Sequence, residues 1–270
     1  MFSKKIYKSF INKLVIAKEL RQILVNQLIN RETVLYRNNM RLFADHRLIV
    51  ALDLPNVQLA LNLVEKLNKY ASFYKVGLSM VPIGGFDLVR KLKDNGKRVF
   101  LDLKLFDIGS TIERTVKNLD TLDVDFFTVH GDPFVVEAAA QSKKNEYTKI
   151  LAVTILTSLG RYDLNQALIK KGSLENLAIE RASKAFDAGA DGIICSPNEA
   201  RLIRNLPESS GKLIVTPGVR LPGSIINDQK RTATPKESFQ NGADFVVLGR
   251  PIYQAKDPVE TVQKILASIK

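Results

Sequence analysis

The chain has 270 residues, of which 45% are hydrophobic and 25% charged, a composition typical of a globular protein with a sizeable core. Its single cysteine, Cys195, excludes an internal disulfide and any site built from several cysteines. The sequence has no apolar run near the roughly 18 residues of a membrane span and no signal-peptide pattern. The formal net charge of +12 admits nucleic acid, an anionic membrane surface or an anionic small substrate as partners.

Half of this net charge lies in residues 1–39, which carry eight Lys or Arg against two Glu, a net of +6. Residues 8–30 are roughly amphipathic, which leaves a targeting helix, a surface-binding helix and a dispensable appendage open as interpretations. Met40 stands just before the first strand signal. We therefore expect a basic leader over residues 1–39 and a catalytic domain over residues 40–270. The position of Met40 suggests the hypothesis that the leader is an upstream read-through.

From residue 48 onward, short β-branched runs alternate with amphipathic stretches. The predicted strands are 48–53, 73–77, 98–104, 124–130, 149–156, 191–196, 212–218 and 244–249, and helix candidates include 56–69, 109–120, 173–188 and 257–269. Strands that alternate with helices pair in parallel, and eight of them close a (β/α)8 TIM barrel, the α/β fold that we expect. A doubly wound open sheet is the alternative, but the segment ALDLPN after the first strand is not its usual Gly-rich turn.

Polar residues recur where the predicted strands end, although the strand interiors are apolar. A barrel carries its active groups at the C-terminal ends of its strands. The residues found there are Asp53, Lys75, Asp102, Lys104, His130, Thr157, Ser158, Ser196, Gly218, Arg220, Gly249 and Arg250. Each has a structural explanation when taken singly, but their common register predicts a site at this rim of the barrel.

The segment FLDLKLFDIGSTIERT (residues 100–115) places three charged side chains among apolar ones at the end of the third predicted strand. Because residues two apart on a strand face the same side, we expect Asp102 and Lys104 to point into the barrel mouth, with Asp107 in the loop beyond. Two carboxylates about 4 Å apart repel by roughly 4 kcal/mol at an effective dielectric near 20, so they need cations between them. Lys75 and Lys104 are the available cations, which predicts an alternating Asp–Lys–Asp–Lys network suited to proton donation by Lys104.

The same segment contains the signature D-x-K-x-x-D-I, as Asp102, Lys104, Asp107 and Ile108. Together with IVALD, YKVG, AVTILTS, VTPGVR and VLGRPI in the same order, it makes the chain from about residue 48 to residue 266 resemble the orotidine 5'-phosphate decarboxylase family. The resemblance implies a cytoplasmic carboxy-lyase that converts orotidine 5'-phosphate to UMP, the last step of de novo pyrimidine nucleotide synthesis. It also implies a homodimer without cofactor or metal ion, and with no nucleic-acid or membrane partner.

This resemblance implies a role for each matching position. Asp102 matches the catalytic aspartate, and Lys104 matches the lysine that delivers a proton to C6 of the pyrimidine. Asp107, followed by Thr111, matches an aspartate that enters the site from the second subunit of the homodimer. The other matches are substrate contacts: Asp53 and Lys75 for the ribose hydroxyls, Thr157 for the base, and Arg220, Gln229, Gly249 and Arg250 for the phosphate.

The segment VLGRPI follows the eighth predicted strand, where barrels often bind phosphate. Gly249 permits close approach of the backbone, and Arg250 has the fork geometry that pairs with phosphate oxygens. The stretch from Arg220 to Pro235 has no predicted element, and loops of this length are often functional. We expect a lid that closes when Gln229 and Arg250 bind the phosphate.

Two other functions stay open on the residues alone. Sugar-phosphate decarboxylases and aldol-type synthases of the same barrel superfamily share the D-x-K strand end but hold a magnesium ion with extra acidic residues, whereas this chain has Lys75 on the second strand. A nucleic-acid-binding protein would use the net charge, yet the basic residues beyond the leader are spread over helices without an aromatic-interleaved patch. For His130, in the segment VHGDP, we favour a structural role.

Overall fold

Eight short strands and the helices between them make up the part of the chain that the computed structural model describes, residues 44–221 and 232–269. The strands are β1 (Leu48–Ala51), β2 (Phe73–Gly77), β3 (Arg98–Leu105), β4 (Phe126–His130), β5 (Lys149–Val153), β6 (Gly192–Ile194), β7 (Leu213–Thr216) and β8 (Phe245–Leu248). The α-helices are α1 (Val57–Leu67), α2 (Gly85–Asp94), α3 (Gly109–Leu119), α4 (Pro133–Ser142), α5 (Arg161–Gln166), α6 (Leu174–Asp187), α7 (Pro197–Arg204), α8 (Pro235–Gln240), α9 (Arg250–Tyr253) and α10 (Pro258–Ser268). Short 3-10 turns cover Leu78–Ile83, Asp120–Leu122 and Pro207–Ser209.

All eight strands are parallel and form one closed barrel in chain order, with β8 hydrogen-bonded to β1. The predicted (β/α)8 barrel is therefore confirmed, and the open doubly wound sheet is wrong. Each predicted strand lies where the β-branched runs indicated, with ends that differ by a few residues. Because the barrel is closed, the C-terminal ends of β7, β8, β1, β2 and β3 lie side by side on one rim.

The barrel has two apolar layers, one inside the strands and one between the strands and the helices. Inside, Phe73, Phe126 and Phe245 meet edge to face, with ring centroids 5.0–5.9 Å apart. The guanidinium of Arg98, at the start of β3, lies 4.1 Å from the Phe73 ring centre. Phe100 lies next along β3 and continues this apolar filling up to the polar rim. The cavity at the rim therefore lies over an apolar, aromatic floor.

Helix ends follow the sequence signals in most cases. The side chains of Asn56 and Asp257 cap α1 and α10 by accepting from the backbone N–H groups three residues on, at 2.9 and 3.0 Å. Gly189 and Gly242 end helices with φ of +100° and +91°, a region that favours glycine. Ser110, a residue type that often caps a helix, does not cap α3, because α3 already begins at Gly109.

The predicted leader, residues 1–39, lies outside the described residues, as does most of the predicted lid, residues 222–231. Within the described ranges, no helix combines the length and the apolar character needed to cross a membrane.

Candidate active site

A cavity of about 260 Å³ opens at the C-terminal end of the barrel strands. It brings together eight residues that the sequence predicted as site residues: Asp53, Lys75, Asp102, Lys104, Thr157, Arg220, Gly249 and Arg250. The charged ones come from five consecutive strands of the closed barrel, β7, β8, β1, β2 and β3. The register argument from strand ends therefore located the rim correctly.

Four charged side chains form an unbroken chain of contacts in this cavity. The Nζ of Lys75 lies 2.9 Å from Asp53 Oδ1 and 3.4 Å from Asp102 Oδ2. The Nζ of Lys104 donates to both oxygens of Asp102, at 2.7 and 2.8 Å. Within this chain the alternating order is thus Asp53–Lys75–Asp102–Lys104. The acid at its outer end is Asp53 rather than Asp107.

Strand register explains how these groups meet. Ala51 on β1 lies opposite Lys75 on β2, and Gly77 on β2 lies opposite Asp102 on β3. Gly77 has no side chain, so the Lys75 side chain can extend past it toward both acids. A Cβ at position 77 would lie 2.7 Å from Asp53 Oδ1 and 2.9 Å from Lys75 Nζ, closer than such atoms approach. A side chain at position 77 would therefore push the ends of the Asp53 and Lys75 side chains out of this contact, a role of glycine that the sequence analysis missed.

Burial and mutual attraction shift the pKa values in the middle of the chain of contacts. Burial raises the pKa of Asp102, but the ammonium groups of Lys75 and Lys104 outweigh it and hold the pKa below its ordinary value. Burial lowers the pKa of Lys75, but Asp102 and Asp53 outweigh it and hold that pKa above its ordinary value. At neutral pH Asp102 is therefore ionised and Lys75 protonated.

Lys104 reaches the cavity by an irregular backbone rather than by regular strand alternation. Its φ is +50°, in the left-handed region that residues with a side chain rarely adopt. The pairing of β3 with β4 shifts register between Leu101 and Leu105. Such a local irregularity re-aims a side chain at the end of a strand. Asp102 and Lys104 do line the same cavity, as expected, but the simple period-two argument does not describe how.

Two arginines that follow β7 and β8, Arg220 and Arg250, also line the cavity. Arg220 is 8% exposed, and its backbone N–H donates to Ala233 O at 2.9 Å. Gly249 precedes Arg250 at the start of α9, and a Cβ there would lie 3.2 Å from Ala51 Cβ and from the Tyr253 ring. Gln229, the remaining predicted phosphate contact, lies outside the described residues.

Asp107 and Thr111 do not line the cavity of their own chain. Asp107 is exposed in the loop before α3, where its carboxylate accepts from the N–H of Ile108 at 2.7 Å. The neighbours Phe106 and Ile108 are 60% and 67% exposed, unusual for large apolar side chains. Thr111 is half-buried on α3.

Two polar strand ends face away from this cavity. The Nδ1 of His130 lies 2.9 Å from Asp132, which also pairs with Arg181 of α6, and this group lines a separate cavity. Ser196 is fully buried and caps α7 by accepting from the N–H of Asn198. Its capping role explains its position without catalysis.

The rest of the cavity wall was only partly predictable. Apolar side chains also line it: Ala51, Phe100, Val153, Ile155, Leu156, Ile194 and Val247. Tyr253 also lines the cavity, three residues after Arg250 on the same helical turn, and burial together with Asp53 raises the pKa of its phenol. A flat organic ring suits a wall that offers apolar surface beside charged groups.

The charged lining has a net positive balance, with four basic side chains against two carboxylates. Because the two carboxylates are already paired with lysines, the excess favours a substrate with several negative charges. Among the described residues, no cluster of three or more His, Cys, Asp or Glu has the arrangement of a metal site.

The fold is a closed (β/α)8 barrel with a charged cavity at the C-terminal ends of its strands, the place where enzymes of this fold carry their active sites. Residues 46–265 match the sequence model of the Orotidine 5'-phosphate decarboxylase / HUMPS family, and the chain belongs to that family. The family predicted from the sequence signature is confirmed.

Similar proteins give the same assignment. The chain is 56% identical to an orotidine 5'-phosphate decarboxylase of Jannaschia sp. over 84% of its length and 99% of the relative. It is 54% identical to an orotidine 5'-phosphate decarboxylase of Ruegeria pomeroyi over 84% of this chain and 95% of the relative. The crystal structure of orotidine 5'-phosphate decarboxylase from Lactobacillus acidophilus superposes with a TM-score of 0.72 at 32% identity, covering 84% of this chain and all of that one. The predicted enzyme class, carboxy-lyase, is confirmed at the level of the family.

Proposed function

We propose that this chain decarboxylates orotidine 5'-phosphate to UMP without a cofactor, the last step of de novo pyrimidine nucleotide synthesis. The observation that carries the proposal is the bidentate contact between Lys104 and Asp102, at 2.7 and 2.8 Å, at the wall of a cavity with excess positive charge. The substrate carries a phosphate dianion and a carboxylate, which such a cavity favours. The names of the relatives, at up to 56% identity, support the same substrate.

The cavity divides into parts that suit the parts of this substrate. Arg250 and Arg220, with Gln229 and the backbone at Gly249, bind the phosphate in our proposal. Asp53 and Lys75 hold the ribose hydroxyls. Thr157 contacts the pyrimidine, whose flat faces suit the apolar wall. Phosphate binding far from the reacting carbon then supplies binding energy that organises the site.

The chemical step breaks the bond between C6 and the carboxylate. The electron pair stays on C6, and carbon dioxide leaves. The ammonium of Lys104 stabilises the charge that develops on C6 and then gives up a proton to it, forming the C6–H bond of UMP. Lys104 regains its proton from water. Asp102 holds the Lys104 ammonium in place and crowds the departing carboxylate, and we assign more of the rate to stabilisation of the carbanion than to this crowding.

An ultraviolet assay of orotidine 5'-phosphate loss by the purified protein, with and without a chelator, tests this function. We expect turnover that the chelator does not change, because the site is charged by its own lysines and arginines. Absence of turnover would refute the proposal. Activity that the chelator abolishes would favour the magnesium-dependent sugar-phosphate enzymes of the superfamily instead.

We also propose a homodimer in which Asp107 and Thr111 of each chain reach the site of the other. Asp107 is exposed outside its own cavity, and the apolar side chains on either side of it are exposed as well. Phe134 on α4 is 53% exposed, and its ring centroid lies 6.0 Å from that of Phe106. Phe106, Ile108 and Phe134 thus form an exposed apolar face around Asp107. A second copy that covered this face would bury it and bring Asp107 next to Lys104 of its partner.

Mixing two inactive variants tests the shared site. Asp107→Asn removes the acid supplied to the partner, and Lys104→Ala removes the lysine of the same chain. In a mixed dimer one of the two sites has both groups intact, so random mixing should restore up to about a quarter of wild-type activity. If the mixture stays as inactive as its components, although the dimers exchange subunits, Asp107 does not act across the interface.

Residues 40–270 form the catalytic domain in this proposal, and the leader 1–39 is dispensable. The relatives support it because they are matched over nearly their whole length by 84% of this chain. Deletion of residues 1–39 should leave kcat and KM unchanged and should remove any retention on heparin. A loss of activity on deletion would contradict the assignment. A cytoplasmic location stays a prediction that fractionation of cells can check.

A further inference from the structure

Thr128 lies in the middle of β4, fully buried, at the point where β4 meets the irregular end of β3. Its hydroxyl makes two hydrogen bonds to the neighbouring strand. The Oγ1 donates to Asp102 Oδ1 at 2.9 Å and accepts from the backbone N–H of Lys104, also at 2.9 Å. A single oxygen atom therefore joins the side chain of one site residue to the backbone of the other.

The backbone of Lys104 depends on such a partner. With φ at +50° and the β3–β4 register shifted around it, its N–H does not fit the regular ladder. A buried N–H without a partner is costly, and a left-handed backbone at a residue with a side chain needs support from its surroundings. The Thr128 hydroxyl takes the place of the missing strand carbonyl.

The polarity of the two hydrogen bonds fixes the arrangement. A hydroxyl has one proton, and here that proton goes to the Asp102 carboxylate, so a lone pair stays available for the Lys104 N–H. The same donation stabilises the ionised form of Asp102, together with the two ammonium groups. Asp102 in turn holds the Lys104 ammonium in a bidentate contact.

We infer that Thr128 is a positioning residue for the reaction, whose hydroxyl fixes Asp102 and Lys104 relative to each other so that the ammonium stays aimed at the reacting carbon. The inference rests on the proposed function. It concerns only the position of the proton donor, since Thr128 does not line the cavity.

The test compares Thr128→Val, which keeps the shape and removes the hydroxyl, with Thr128→Ser, which keeps the hydroxyl. We expect kcat for orotidine 5'-phosphate to fall about 10- to 100-fold in Thr128→Val, with KM changed by less than about threefold, because a shift of the proton donor affects the transition state more than substrate binding. Thr128→Ser should recover kcat to within about threefold of wild type.

Thr148→Val is the matched control. Thr148 is 2% exposed at the start of β5, and its hydroxyl donates to Val124 O at 2.7 Å, at the opposite end of the barrel. This variant should lose thermal stability but keep kcat. If Thr128→Val does not fold, Thr128→Ala is compared with Thr128→Ser, because these two variants differ only by the hydroxyl. A lower kcat in Thr128→Ala than in Thr128→Ser supports the inference, and an equal kcat contradicts it.

The outcomes separate the inference from the function on which it rests. If the wild-type protein turns over its substrate but the variants with and without a hydroxyl at position 128 have the same kcat, the inference is wrong and the proposed function stands. The same holds if Thr148→Val loses as much kcat as Thr128→Val. A wild-type protein without turnover overturns the proposed function and the inference with it.

Discussion

Replacing Lys75 by methionine removes the cation from the middle of the chain of contacts while keeping much of its length. The Nζ lies 2.9 Å from Asp53 and 3.4 Å from Asp102, and the side chain is 9% exposed. At an effective dielectric near 20 these contacts are worth about 6 and about 5 kcal/mol before burial costs are subtracted. Breaking a buried ion pair costs a net of about 3–5 kcal/mol. For a domain of this size that loss lowers Tm by roughly 6–20 °C near pH 7.

The pH dependence distinguishes loss of charge from loss of packing. The pKa of Asp102 is depressed below its ordinary 3.8, so its contribution is complete above about pH 4 and is lost as the pH falls through the folded-state pKa. The pKa of Lys75 is raised above its ordinary 10.5, so its contribution is complete below about pH 10 and is lost as the pH rises through the folded-state pKa. The Tm difference between wild type and Lys75→Met should be largest between about pH 4 and about pH 10, and it should become smaller at lower and at higher pH.

Lys97→Met is the matched control, because Lys97 is as buried but donates to neutral oxygens of Asn68, at 2.9 and 3.2 Å. Burial lowers the pKa of Lys97, so its contribution to stability grows as the pH rises through that pKa, the opposite direction to Lys75. Differential scanning calorimetry across the pH range measures both variants. A Tm difference for Lys75→Met that is the same at every pH, or that has the slope of Lys97→Met, would refute the charge argument.

Three further changes test other parts of the site. Gly77→Ala should lower kcat/KM at least about 10-fold because its Cβ displaces the Asp53–Lys75 pair, and steady-state kinetics with unchanged values would contradict the need for room there. Arg250→Ala should lower kcat/KM about 100- to 1,000-fold for orotidine 5'-phosphate but hardly change it for orotidine, and equal losses on both substrates would exclude a phosphate contact. Asp102→Asn should make Tm less sensitive to acid below about pH 4, and an acid limb as steep as that of wild type would show that Asp102 does not cause it.

The barrel could be predicted from the sequence because its signals are local. Each strand is a short β-branched run, each helix has its own amphipathic stretch, and the number eight allows only a few closed arrangements. That the polar strand ends share one cavity could be expected from the same information, since the C-terminal ends of parallel strands meet at one rim. Ser110 shows the limit of such signals, because a good capping residue can lie one position inside a helix.

Contacts across strands could not be predicted because they depend on register. The stagger between neighbouring strands places Gly77 opposite Asp102 and Thr128 beside Lys104. A single sequence does not reveal this stagger. The left-handed backbone of Lys104 has no local signal either. For the same reason the sequence did not show that Asp53, rather than Asp107, pairs with Lys75 within one chain.

The most direct test of the central claim is turnover by Lys104→Ala beside the wild type, followed as ultraviolet loss of orotidine 5'-phosphate. Lys104 is 36% exposed at the cavity wall, so its removal should leave the barrel folded, which calorimetry checks. We predict that wild type forms UMP and that the variant loses at least about 10³-fold in kcat, because both stabilisation of the carbanion and its protonation depend on this ammonium. Turnover near the wild-type rate in a folded Lys104→Ala protein would contradict the account.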